Sequence, residues 1–498
     1  MTDSDPNNQQ VSLLMQRAAN LQRGGRPDQV AAVLQQVVQI DPMHYQASCA
    51  LAQIAAVAGH ADACLHYAQR AEQSNPKGFE ALALLVQAHQ LRGETPAAIA
   101  ALQRAAKVQP DNDKIHFNLG VLGEKHGDLK LATEAYERAV ALNPNNHDAL
   151  GNLALLQLAD NDLRKAINSF SALCAARRGT AAMIETSDQL PPLPDTETLS
   201  SKFKIKMDHE QLAYLQQLGK LPANTQDLLD ALPLVLNDLP DDLPEDEAFN
   251  VRHPKHHWKT HWQVLGRYHN RPISVPAITD TDEPLINPNL DVHALESEYH
   301  NGSPQMVVVD QFLTPYALSA LREFCREATI WHDLRRNYLG AYLTDGFANA
   351  LTLGIAQQLK QALPGIFGTF PLTQAWGYKY GAALNGIAMH ADAAAVNCNF
   401  WIAENEANLD AEHGGLLVYR KEAPLDWDFD KFNNDTEAMK AHLGSSLQDP
   451  VRIPHKANRI VIFNSNLFHK TDDIRFADEF LSRRYNMTLL FGRRRDVT

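Results

Sequence analysis

The sequence predicts a multi-domain α+β protein. An N-terminal all-α superhelix of repeated helix pairs is followed by a helical linker region and a C-terminal strand-rich domain of sandwich or jelly-roll type. Three observations carry this expectation. Prolines and glycines recur in a fixed register through the first third. The middle then loosens into proline-broken and acidic stretches, and after Thr369 short apolar runs punctuated by Gly and Asn replace helical periodicity.

In the first third Pro42, Pro76, Pro110 and Pro144 stand 34 residues apart, and three of them follow Asp or Asn. Proline lacks an amide hydrogen and restricts the residue before it, so each pair ends one helix and sets up the next. Gly25, Gly59, Gly93 and Gly127 keep the same spacing midway between the prolines, where a left-handed residue turns a helix back on its partner. Asn161 takes that place in a fifth unit. Small residues recur where paired helices would touch (Ala98, Ala132 and Ala166; Ala71, Ala105 and Ala139), and Leu51, Leu85, Leu119 and Leu153 hold a further position. Over residues 11–178 this pattern resembles the tetratricopeptide repeat. The resemblance implies a concave surface that binds a peptide or protein partner.

Residues 179–303 form the expected linker and bridging region. Leu190-Pro-Pro-Leu-Pro194 reads as an extended connection, residues 208–236 regain helical periodicity, and residues 239–247 form an acidic, proline-broken loop. His253, His256, His257 and His261, with Trp258 and Trp262, could bind a metal. Their mixed spacing, without Cys or carboxylate partners, favours a solvated or aromatic-packed segment.

Residues 304–498 make up the third domain. Met306–Asp310 reads as a short buried strand, and Thr314 with Pro315 opens a helix reaching Ala328. Strands are expected at 374–380, 393–403, 416–419, 459–464 and 484–491. On this background stands His390-Ala391-Asp392. Alternate residues of a strand share a face, so an imidazole and a carboxylate would point at one place. His469 follows the apolar run Ile460–Phe463. Two imidazoles and a carboxylate on one side of a metal leave other coordination positions open, as O₂ and a bidentate 2-oxo acid require.

The ordered segments Ala375–Gly381, His390–Asp392, His413–Tyr419, Pro454–His469 and Arg483–Phe491 resemble the prolyl-hydroxylase-like branch of the Fe(II)/2-oxoglutarate-dependent oxygenases. The resemblance runs from Val307 to Phe491. It implies a double-stranded β-helix that holds Fe(II) through His390, Asp392 and His469, with 2-oxoglutarate and O₂ as co-substrates and ascorbate as a reductant for the iron. It further implies that Arg484 pairs with the far carboxylate of 2-oxoglutarate, for which a planar guanidinium is suited. Asn486 stands where the family has serine, Tyr380 matches a co-substrate-binding tyrosine, and Arg483 is the rival anchor should the strand slip by one residue. The expected activity is a hydroxylase for a peptide or protein recruited by the repeats. A scaffold with a retained jelly roll and a small-molecule hydroxylase are the alternatives. Gly414-Gly415 reads as a tight turn, and Glu412 and His413 lack a ligand partner at strand spacing.

Composition narrows the classes. With 45 Lys and Arg against 59 Asp and Glu, the net charge of −14 opposes a nucleic-acid partner, and the run Arg493–Arg495 reads as a solvated tail. The five scattered cysteines suit reduced thiols. No apolar run is long enough to cross a bilayer, and the first ten residues lack signal-peptide character, so no membrane association and a cytoplasmic location are expected.

Overall fold

The computed structural model describes residues 6–186, 190–252, 259–278 and 283–496. Two compact units emerge, Met1–Leu153 and Ala154–Thr498. The first contains the helix pairs α1 (Pro6–Arg23) and α2 (Pro27–Ile40), α3 (Tyr45–Val57) and α4 (Ala61–Ser74), α5 (Phe79–Leu91) and α6 (Thr95–Val108), and α7 (Asp113–His126) and α8 (Leu129–Leu142). A fifth pair, α9 (His147–Ala159) and α10 (Leu163–Arg178), begins in the first unit and ends in the second.

The periodic residues act as the sequence predicts. Ala71, Ala98, Ala105, Ala132, Ala139 and Ala166 are fully buried between helices. Gly25, Gly59, Gly93 and Gly127 have φ of 67°, 72°, 72° and 82°, and Asn161 follows at 60°. Side-chain acceptors help the Asp/Asn-Pro turns form. Asp41, Asn75 and Asn143 each take the amide two residues on, at 3.0, 3.3 and 3.1 Å.

The connecting region is more ordered than an extended linker. Helices α11 (Ala181–Thr186), α12 (Lys202–Gln217), α13 (Gln226–Asp238) and α14 (Thr260–Tyr268) share a core that includes Ile205, Leu212, Leu215, Leu232 and Trp262. The Leu190–Pro194 stretch is tied down because buried Arg271 donates to the Pro191 carbonyl at 2.9 Å. His253, His256, His257 and Trp258 lie outside the described residues. His261 and Trp262 both bond Asp238, at 2.7 and 2.9 Å. The carboxylate is held well below its usual range, first by the Lys259 ammonium and then, against burial, by these two.

The remaining elements in chain order are β1 (Leu199–Ser200), paired with β2 (Phe249–Asn250), then α15 (Val292–Asn301), β3 (Met306–Asp310), α16 (Pro315–Glu327), β4 (Asp333–Arg335), β5 (Tyr338–Tyr342) and α17 (Ala350–Ala362). After these come β6 (Leu372–Tyr380), β7 (Ala383–Leu384), β8 (Val396–Trp401), β9 (Leu416–Glu422), β10 (Val451–Ile453), β11 (Arg459–Asn464), β12 (Leu467–Thr471), β13 (Ile474–Arg475) and β14 (Tyr485–Phe491). Seven strands form an antiparallel sheet ordered β3-β11-β8-β14-β6-β5-β4; β10-β9-β12 and β13-β7 form smaller sheets.

Period-two alternation divides the large sheet. Tyr485, Met487, Leu489 and Phe491 of β14, with Cys398 and Phe400 of β8, join the core that also holds Leu321 and Phe324 of α16 and Leu351 and Leu359 of α17. The opposite face carries the polar residues described below.

The C-terminal basic run departs from the sequence reading. Arg494 is not part of a solvated tail. It is buried, donates to Asn466 Oδ1 at 2.8 Å and to the Trp427 and Ala423 carbonyls at 2.9 Å each, and covers the Phe432 ring. A guanidinium has five donors, enough to gather several carbonyls of one irregular segment. Between the strands expected at 416–419 and 459–464 lie two short helices, Phe429–Asn433 and Thr436–Leu443. All five cysteines are buried and unpaired.

Candidate metal centre

His390, Asp392 and His469 converge, their ligand atoms all lying within 4.8 Å of one another. The route differs from the expected placement of His390 and Asp392 on a strand. Residues 391–395 bend, and His390 forms only an isolated bridge, its backbone amide and carbonyl exchanging bonds of 3.0 and 2.8 Å with His469 on β12. Asp392 is fixed by its amide, which donates to the Ser465 carbonyl at 3.2 Å in the turn between β11 and β12. The bridge and the turn bring the three side chains together.

Hydrogen bonding orients both imidazoles. His390 Nδ1 lies 2.9 Å from the Ala388 carbonyl and His469 Nδ1 lies 3.1 Å from that of Leu467. A carbonyl only accepts, so Nδ1 carries the proton and each Nε2 presents a lone pair. These Nε2 atoms lie 3.9 and 3.4 Å from the Asp392 carboxylate, and the rings are 4.5 Å apart. Cis ligands on bonds of about 2.1 Å stand about 3 Å apart, so small side-chain shifts close the set around one ion.

The environment favours ligand-competent forms. Burial and then His469 push the His390 pKa below its usual value, with Asp392 opposing, so the ring stays neutral. Burial raises Asp392, but its contacts with His469 and His390 and a bond from Asn397 outweigh it and keep the carboxylate ionised. His390 keeps a quarter of its side chain accessible whereas His469 is buried, so the centre opens on the His390 side.

An amide relay backs the carboxylate. Asn397 donates to Asp392 Oδ2 at 2.5 Å and its own oxygen accepts from Asn399 at 2.7 Å. Asn399 Oδ1 in turn accepts from Asn486 Nδ2 and Thr488 Oγ1, both at 3.0 Å. These four residues occupy alternating positions on β8 and β14, so the polar face of the large sheet leads directly to Asp392. Asn397, Asn399 and Thr488 went unrecognised in the sequence. The legible signal was a pair of amides two residues apart inside an otherwise apolar strand.

The two candidate anchor arginines part company. Arg483 pairs with Glu210 at 2.7 Å and Asp478 at 2.6 Å. Arg484 is only 1% exposed, donates from Nε to the Gly414 carbonyl at 2.8 Å and lies over the Tyr380 ring at 4.5 Å. Gly414, in a left-handed conformation at φ 82°, therefore contacts the arginine directly through its carbonyl. Arg484 Nη1 and the Tyr380 hydroxyl are buried without a hydrogen-bond partner among the described residues. Burial lowers the pKa of Arg484 and raises that of Tyr380. His413 sits 3.0 Å from Asp410 and stays outside the metal cluster, as does Glu412.

Comparison with known proteins bears on the N-terminal region. Tetratricopeptide-repeat family models match residues 83–147 and 135–168, and this region carries such repeats. No curated protein matches the chain. Among solved structures, MamA protein is 19% identical over 37% of this chain and 100% of its own, with a TM-score of 0.33. YrrB, described as a TPR protein with an unusual peptide-binding site, is 15% identical over 32% of this chain and 82% of its own, with a TM-score of 0.30. Pseudomonas aeruginosa pilF is 14% identical over 47% of this chain and 93% of its own, with a TM-score of 0.30. At such scores these structures carry no argument about function. No helix among the described residues is long and apolar enough to cross a membrane.

Proposed function

We propose that the strand-rich region is an Fe(II)- and 2-oxoglutarate-dependent oxygenase that hydroxylates a peptide or protein substrate recruited by the repeats. One observation carries this reading: two imidazoles with inward Nε2 atoms and an ionised carboxylate meet beside a polar sheet face whose far end bears a buried, incompletely bonded arginine. A 2-His-1-carboxylate set with open positions suits non-haem Fe(II), and the donor chemistry fits that ion. The orphaned Nη1 of Arg484 and the Tyr380 hydroxyl fit a carboxylate. Strands β3, β8 and β11 of the large sheet share a core with β9, β10 and β12 of the smaller one, which supports a jelly-roll reading of the region.

Under this reading His390, Asp392 and His469 hold the iron, and Arg484 with Tyr380 holds the far end of 2-oxoglutarate. Bound together with O₂, these groups supply a C–H hydroxylation in which 2-oxoglutarate leaves as succinate and CO₂. The chain's own residues prepare for it. The Ala388 and Leu467 carbonyls keep the Nδ1 protons, so both Nε2 atoms face the ion. Asn397 holds one carboxylate oxygen of Asp392. His390, on the accessible side, leaves the approach open for substrate.

The test is turnover of 2-oxoglutarate to succinate by the purified chain with added Fe(II). The wild type converts it, and Asp392→Ala lowers the rate at least a hundredfold through loss of an iron ligand. A wild-type protein that binds Fe(II) but never consumes 2-oxoglutarate would fit a repeat scaffold instead.

A further inference from the structure

Beside Arg484 lies a buried histidine, His455. Both of its ring nitrogens lack a hydrogen-bond partner among the described residues. Its ring packs edge-on to Phe476 at 5.0 Å and beside Trp401 at 6.0 Å. The indole of Trp401 also faces Arg484 at 5.8 Å, and its Nε1 is likewise buried and unbonded. One turn holds both groups: the Gly414 carbonyl accepts from Arg484 Nε, and the His413 carbonyl accepts from the His455 backbone amide at 3.2 Å.

Five orphaned polar atoms therefore share one neighbourhood: Arg484 Nη1, Tyr380 Oη, Trp401 Nε1 and the two nitrogens of His455. Buried polar groups are almost always paired, because an unpaired one forfeits its hydration without compensation. Four of these residues can donate, whereas only the tyrosine oxygen and one imidazole nitrogen can accept. Such a set is matched by an acceptor-only group with several lone pairs, which describes a carboxylate.

Resting on the oxygenase reading above, we infer that His455 is a specificity-determining residue of the co-substrate pocket, donating a ring N–H to the far carboxylate of the 2-oxo acid alongside Arg484. Burial, then Arg484, Arg459 and Arg322, lower the His455 pKa to about 3. The ring is therefore neutral at pH 7, and it contributes one oriented donor without a second full charge. The residue thus separates dicarboxylic 2-oxo acids from those ending in a methyl group.

The experiment uses His455→Phe and His455→Gln in the full chain. Phenylalanine suits a site walled by Trp401 and Phe476, and glutamine restores a donor. Binding is read without turnover, by anaerobic titration of the Fe(II)-loaded protein through the visible charge-transfer band of a chelated 2-oxo acid. The probes are 2-oxoglutarate and 2-oxopentanoate, which has the same chain length but no far carboxylate. His455→Phe weakens 2-oxoglutarate roughly tenfold or more, as expected for losing a hydrogen bond to a charged group, and leaves 2-oxopentanoate unchanged. His455→Gln recovers most of the loss. Unchanged 2-oxoglutarate affinity in His455→Phe overturns the assignment while leaving the oxygenase reading intact, and equal loss for both probes overturns it in favour of a packing role. Failure of the wild type to bind 2-oxoglutarate removes both.

Discussion

Arg483 and Arg484 precede β14 as immediate neighbours, and their guanidinium groups enter opposite surroundings. Arg483 is held by two carboxylates, while Arg484 stacks on Tyr380 with one nitrogen unbonded. Coulombic attraction already satisfies the first, whereas the second is a buried cation whose desolvation a bound anion would offset. The two therefore respond differently to the same change. Arg484→Met weakens 2-oxoglutarate binding on the order of a hundredfold while Fe(II) affinity holds. Arg483→Met leaves that binding within about twofold and costs about 1–2 kcal/mol of stability through its lost bonds. Titration and urea denaturation of both variants check this. Comparable loss of 2-oxoglutarate affinity in both would remove Arg484 from the proposed pocket. The sequence left these arginines as rivals because a slip of one residue exchanges their faces, and only the pairing of β14 with β6 and β8 fixes which way each points.

At the scale of elements, what was legible depended on how local its cause is. The helix pairs were readable because each repeat restates the same turn and contact chemistry, so Gly127 and Ala139 could be placed by counting. Strands β3 and β11 match their apolar runs residue for residue. The bend after His390 was not readable, since it follows from the β11–β12 turn docking on Asp392 from more than seventy residues away. His455 and the Gly414 carbonyl were hidden for the same reason: topology, not spacing, brings them to Arg484. Arg494 was misread because its partners are carbonyls of a distant irregular segment.

Two glycines in one repeat show how the same substitution can fail for different causes. Gly127 has φ 82° with open space at its Cβ position, whereas helical Gly120 would place a Cβ against the ring of buried Tyr136. Gly127→Ala costs about 1–2 kcal/mol through backbone strain. Gly120→Ala costs a similar amount, about 1–3 kcal/mol, through overpacking. Denaturation in a Tyr136→Leu background separates them. There the Gly120→Ala penalty shrinks towards zero, and the Gly127→Ala penalty remains. Persistence of both would mean that the Tyr136 ring is not what excludes a side chain at position 120.

At the scale of the whole molecule, the two compact units divide the proposed work. The strand-rich unit has every residue proposed to hold iron and 2-oxoglutarate, and none of them comes from the repeats. Chemistry and recruitment should therefore be separable by mutation. In the repeats, Gln53, Val57, Gln87, Gln90 and Leu91 line a recess between α3 and α5. Val57 is 81% exposed and Leu91 46%, an apolar pair flanked by amides that could pair with an extended backbone. Replacing both with Asp adds charge without disturbing a buried contact, so the repeats stay folded. The double variant should retain Fe(II) and 2-oxoglutarate affinity and the slow substrate-free conversion to succinate. Its KM for a protein substrate should rise roughly tenfold or more, because a recruiting site acts through effective concentration rather than through the reacting atoms. Mass gains of one oxygen, measured over a range of substrate concentrations, give the answer. If kcat falls with KM unchanged, the recess does not recruit, and substrate must reach the centre by the strand-rich unit alone.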